Sequence, residues 1–160
     1  MFEERIEKAV ELFKSGFNCS QSVVIAYADM YGFTEEQAAR MAASFGGGIG
    51  RMRQTCGAAC GMFLLAGLET GSTDPKDRAK KGANYAVVQE LAAKFKQRNG
   101  SMVCAELLGL KKPEGVSTPE ERTEQYYAKR PCAKMVEEAA RIWAEYLESK
   151  QEAQTPEHAR

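Results

Sequence analysis

Five cysteines, at positions 19, 56, 60, 104 and 132, are the side chains whose chemistry the sequence puts forward. Cys56 is the most elaborately framed. It follows the run Phe45-Gly-Gly-Gly-Ile-Gly-Arg-Met-Arg-Gln-Thr-Cys56 and opens an apolar stretch that reaches Leu68. Glycines at Gly46, Gly47, Gly48 and Gly50 cost conformational entropy, which is tolerated where the backbone needs positive φ or a close approach. Thr55 is a fair N-cap, so Cys56 is expected at the first position of a helix. There, unpaired N–H groups and the positive end of the dipole favour a thiolate. Arg51 and Arg53 push the same way, so Cys56 is the expected nucleophile, with a pKa below the free-thiol value of about 8.5. Gly57, Ala58, Ala59 and Gly61 leave little bulk on the first turn, so another backbone or a partner thiol can come close. Cys60 sits one turn further along the same face, and a small buried hydrophobe is its expected role.

The segment Cys56-Gly57-Ala58-Ala59-Cys60-Gly61 reads as Cys-Gly-Ala-x-x-Gly after Phe-Gly-Gly-Gly, with Cys19 upstream and Cys104 and Cys132 downstream. In this the chain resembles a bacterial and archaeal family of proteins named as redox-active, the C_GCAxxG_C_C family, over roughly residues 5 to 146. The resemblance implies that Cys19, Cys56, Cys104 and Cys132 are the family cysteines, and that Cys60 occupies a variable position. It also implies thiol redox activity. Because members are often encoded near transporter genes, a non-enzymatic accessory to a transporter is implied as a further possibility.

Composition narrows the classes. Lys plus Arg and Asp plus Glu both number 22, so no global field draws the chain to nucleic acid or to an anionic membrane. The N-terminal Met-Phe-Glu-Glu-Arg-Ile-Glu lacks the cationic start and apolar core of a secretory signal, which places the expected location in the cytoplasm. The Cys56–Leu68 run falls short of the roughly 20 residues of a membrane span, so an integral membrane protein is not expected. Cysteines in a cytosolic chain point to catalytic or redox thiols, a metal site, or core filling rather than a disulfide framework. The single histidine, His158, lies near the C-terminus, which leaves Cys–His dyads and histidine-rich zinc sites poorly supplied. Met30, Met41, Met52 and Met62 read as core filler. Tyr126-Tyr127 either faces a cleft or packs.

Helix signals recur along nearly the whole chain. Ile6, Ala9, Val10 and Phe13 follow helical spacing up to Ser15-Gly16. Asn18 with Gln21, and Thr34 with Gln37, are capping boxes. Asp74-Pro75 is expected to start a long helix carrying Ala79, Ala83, Val87, Leu91 and Phe95, ended by Asn99-Gly100. Ser101 is expected to cap a short helix holding Cys104, and Thr118-Pro119-Glu120-Glu121 to open another. Lys111 to Ser117 reads as a surface loop. Pro131 opens the last helix, with Cys132, Val136, Ala140, Trp143 and Leu147 on one stripe. All four family cysteines thus fall in the first turn of a predicted helix.

The expected fold is an all-α, single-domain bundle of about seven helices over residues 1–148, with 149–160 as a flexible tail. The glycine-turn helix should be central, with the Pro75 and Trp143 helices around it. The expected chemistry is thiol–disulfide exchange, with Cys56 attacking and Cys19, Cys104 or Cys132 resolving, in partnership with a redox protein or a small thiol or disulfide. The other reading is metal ligation, in which the same four cysteines hold zinc or an iron–sulfur cluster.

Overall fold

The structure, a computed structural model, describes residues 1–110 and 116–154. Among these residues it holds eight α-helices and no strand, so the all-α expectation stands. In chain order they are α1 (Glu3–Lys14), α2 (Cys19–Tyr27), α3 (Glu35–Ala42), α4 (Gly57–Thr70), α5 (Arg78–Asn99), α6 (Cys104–Leu107), α7 (Glu124–Lys129) and α8 (Cys132–Gln154). No described helix is long and apolar enough to cross a membrane.

The central pair is α2 against α4. Both are apolar nearly all round: Val23, Val24, Ile25, Ala26 and Tyr27 of α2 are buried, as are Ala58, Ala59, Met62, Leu65 and Ala66 of α4. They cross at Gly61, where a Cβ would lie 2.9 Å from the Val23 Cβ and 3.0 Å from the Ser20 carbonyl oxygen. Helix α1 adds Ile6, Ala9 and Phe13. Helix α8 adds a stripe that includes Val136, Ala140, Trp143 and Leu147. The buried Tyr27 hydroxyl donates to the Ala140 carbonyl at 2.8 Å and ties α2 to α8 across that core.

Local signals set several helix starts. Asn18 and Gln21 form a complete capping box on α2, and Thr34 and Gln37 form one on α3. Two expected starts move later. Helix α5 begins at Arg78 with Asp77 as its cap, while Asp74 instead accepts from the Lys76 amide in a preceding turn. Its first half stands out from the core, so Ala79 and Ala83 are exposed, whereas Leu91 and Phe95 are buried. Helix α7 begins at Glu124 under Thr123, and residues 118–122 are not helical. Ser101 accepts from the Val103 amide just ahead of α6, whose N-cap is Val103.

Met62 is core, but Met30, Met41 and Met52 are exposed, contrary to the expectation that all four fill the interior. Helix α8 continues through Gln154, so the first part of the expected tail is helical. The remainder of that tail, with His158, and most of the expected loop at 111–117 lie outside the described residues.

Candidate functional site

The glycine run folds into a turn of unusual hand. Gly47, Gly48, Ile49, Gly50 and Arg51 take φ values of 66°, 72°, 65°, 57° and 59°, and Arg53 follows at 59°. Glycine accepts this region freely, but a non-glycine residue there is strained by about 1–3 kcal/mol, and a β-branched one such as Ile49 is a true outlier. Backbone bonds hold the turn: Gly50 N–H to Ser44 O at 2.8 Å and Gln54 N–H to Gly48 O at 2.8 Å. The chain then pairs briefly with the start of α6. Thr55 and Val103 form an antiparallel bridge, with Cys56 N–H donating to Met102 O at 2.7 Å and Cys104 N–H to Gln54 O at 2.6 Å. This pairing sets Cys104 against the turn. A Cβ on Gly48 would sit 2.5 Å from the Cys104 Cβ and 2.8 Å from the Arg53 Cα, so only glycine fits there.

The turn forms one wall of a cleft of about 400 Å³. All four family cysteines line it, brought by four different elements: Cys19 on α2, Cys56 capping α4, Cys104 on α6 and Cys132 on α8. Of the other expected site residues, Gly46, Gly47, Gly48, Gly50, Arg51, Arg53 and Gly57 also line it. Ala58, Cys60 and Gly61 do not. Cys60 is buried behind the cleft with its thiol toward the Thr55 carbonyl at 3.8 Å, and burial pushes it up to about 11.

The four thiols differ in acidity, and not in the expected order. Cys56 is the N-cap of α4 rather than its first residue. Burial pushes its thiol up to about 12, outweighing the Ala58 and Ala59 amides that favour the thiolate, so the expectation of an acidic Cys56 is not met. The dipole contribution at a helix start is roughly 0.3–1 kcal/mol, too little to offset full desolvation. Cys104 is also raised by burial, although buried Arg53 opposes this by donating from Nη1 to its sulfur at 3.7 Å. Cys132 alone is lowered, to about 7. The first cause is hydrogen bonding from the Cys19 thiol, followed by the charges of Arg130, Arg122 and Arg53 acting against desolvation. Cys19 moves the opposite way, well upward, because one thiol of the pair stays protonated to stabilise the other. All five cysteines are free, and no two sulfurs stand at bonding distance.

Among the lining residues outside the expected set are Glu120, Arg122, Tyr126 and Arg130. Arg122 closes the end of α1, donating to Phe13 O at 3.0 Å and Phe17 O at 3.1 Å while lying 4.4 Å over the Phe13 ring. Arg130 lies 5.0 Å over the Tyr126 ring and bonds Glu120. Tyr127 packs against Phe13, edge to face at 5.9 Å. Arg51 donates to Val116 O at 2.7 Å and to Thr118 O, anchoring that segment beside the cleft. Arg130 stands two positions before Cys132, the same kind of sequence signal that Arg53 supplies for Cys56.

A metal fits this arrangement poorly. Among the described residues no three Cys, His, Asp or Glu side chains gather as a metal ion requires. The charges that act on Cys132 are guanidinium groups, which oppose a second cation.

No curated protein and no solved structure matches the chain. A family model does, over residues 17–146, a span that takes in the glycine turn and all four cleft cysteines. The chain therefore belongs to the family described as "Putative redox-active protein (C_GCAxxG_C_C)".

Proposed function

We propose that the protein carries out thiol–disulfide exchange, with Cys132 as the attacking thiolate and Cys19 as the resolving thiol. The observation that carries this reading is the Cys19–Cys132 thiol pair at the wall of a cleft, whose hydrogen bond draws Cys132 down and pushes Cys19 up. A thiol whose pKa lies near ambient pH combines substantial ionisation with retained nucleophilicity, which is the optimum for exchange. In the first step the Cys132 sulfur attacks one sulfur of a substrate disulfide, the S–S bond breaks, and half of the substrate leaves as a thiolate. In the second, the Cys19 sulfur displaces the remaining half, and its proton passes to the departing thiolate. Two electrons have then moved from the two cysteines to the substrate, leaving a Cys19–Cys132 disulfide. The two sulfurs must close from thiol contact to about 2.05 Å in that step. A small thiol or a reduced protein partner would restore the pair.

The test is mild oxidation of the full chain with diamide, followed by non-reducing peptide mapping. A reversible Cys19–Cys132 crosslink, absent in Cys132→Ser and in Cys19→Ser, is expected. A crosslink confined to Cys56 would return the nucleophile to that position. Absence of any intramolecular crosslink, with the cysteines accessible to alkylation, would end the exchange reading.

A further inference from the structure

A second cleft, of about 340 Å³, opens beside the thiol cleft and shares Leu108, Glu120, Tyr126 and Arg130 with it. The shared wall therefore consists largely of one ion pair and one ring. Its two charged members are held differently. Arg130 follows α7 directly, rests 5.0 Å over Tyr126 and leaves 15% of its side chain exposed. Glu120 belongs to the irregular segment ahead of α7 and leaves 47% of its side chain exposed. The guanidinium is thus a fixed fork that matches a carboxylate, and the carboxylate now on it belongs to the more exposed partner, which also stands 3.9 Å from Arg51 and keeps that pairing when it leaves Arg130. An ion pair with so exposed a member is weak, so exchanging one carboxylate for another costs little.

The thiols lie on one side of that wall, and Glu121, Thr123, Gln125 and Lys129 line the other. A ligand spanning both clefts would present sulfur inward, an anionic group to Arg130 at the shared wall, and polar atoms outward. A volume of about 400 Å³ on the thiol side is in the range of small-molecule sites.

We propose that the substrate is a low-molecular-weight disulfide bearing a carboxylate, its S–S bond laid against Cys132 and its carboxylate taking the place of Glu120 on Arg130. This rests on the exchange reading above and names the substrate class for the same site. Arg130 then binds substrate, and Glu120 is a competitor that leaves when the substrate arrives.

The test is the rate of mixed-disulfide formation at Cys132 in the full chain with three probes: dianionic dithiodipropionate, neutral hydroxyethyl disulfide and dicationic cystamine. A free thiolate is itself negative and reacts most readily with cystamine. This site should invert that order, with dithiodipropionate ahead of hydroxyethyl disulfide by about tenfold, the scale of one charge-assisted hydrogen bond. The ratio of the two rates does not depend on how much of Cys132 is ionised. Arg130→Gln should bring that ratio close to one. Glu120→Gln removes the competitor and should raise it, which keeps the proposal testable if the arginine variant fails to fold. Cystamine reacting fastest, or a ratio unmoved by Glu120→Gln, overturns the substrate class while leaving exchange intact. If none of the three probes forms a mixed disulfide at Cys132, the exchange reading itself fails.

Discussion

A cysteine's acidity in this molecule is decided by what faces it across the cleft rather than by its place on a helix. Cys56 and Cys132 both stand at helix starts, yet burial lifts the first and a neighbouring thiol lowers the second. Iodoacetamide reaction followed against pH should therefore show a midpoint near 7 at Cys132, and little reaction at Cys56 until strongly alkaline pH. Cys19→Ala removes the largest cause of the low value and should move the Cys132 midpoint upward, toward about 8.5. A midpoint unchanged in that variant would assign the shift to the arginines instead. Cys19 and Cys132 are far apart in sequence, and Arg122 approaches through its bonds to Phe13 and Phe17, so no local pattern announces the pairing. What was legible was the set of four cysteines, each at a helix start; that all four reach one cleft is a property of the packing.

At the scale of elements, the left-handed turn separates two kinds of glycine. Gly48 and Gly50 share positive φ, but a Cβ at Gly50 meets only Ser44 O at 4.0 Å, whereas one at Gly48 strikes Cys104 at 2.5 Å. Gly50→Ala should cost only the backbone strain, about 1 kcal/mol. Gly48→Ala adds overpacking against Cys104 and should cost roughly 1–3 kcal/mol more. Urea denaturation of the two variants measures the difference, and equal losses would mean that the turn relaxes around the added methyl. The glycines thus spoke plainly for positive φ, while the capping boxes at Asn18 and Thr34 spoke plainly for helix starts. The signals at Asp74-Pro75 and Thr118-Pro119 were as good locally and did not prevail. At the second, Arg51 takes the Val116 and Thr118 carbonyls and Arg122 is drawn to α1, so long-range bonds made by arginines hold the segment out of a helix. A pattern read along the chain cannot register bonds of that span.

For the molecule as a whole, thiols and phenols displaced in different directions give stability a pH optimum. Cys132 is an acid whose folded pKa lies below its unfolded value. Its contribution is complete above the unfolded value of about 8.5 and is lost as pH falls through about 7. Cys56, Cys60, Tyr27 and Tyr31 are acids displaced upward, in each case chiefly by burial. Their contribution is complete below the unfolded values, about 8.5 for cysteine and 10 for tyrosine, and is lost as pH rises beyond them. Above about pH 9 the unfolded chain releases protons that the folded chain retains, and each such proton lowers stability by up to about 1.4 kcal/mol per pH unit. Reduced protein, studied by differential scanning calorimetry, should therefore gain Tm modestly between pH 7 and about 7.5, lose it from about pH 8, and lose it steeply beyond about 9. Above pH 9, unfolding should release protons, seen as a dependence of apparent enthalpy on the ionisation heat of the buffer. A Tm that stays level through pH 10.5, or protons taken up rather than released, would mean that the buried thiols and phenols ionise as readily folded as unfolded. In that case the desolvation that lifts the Cys56 thiol would have to be abandoned with it.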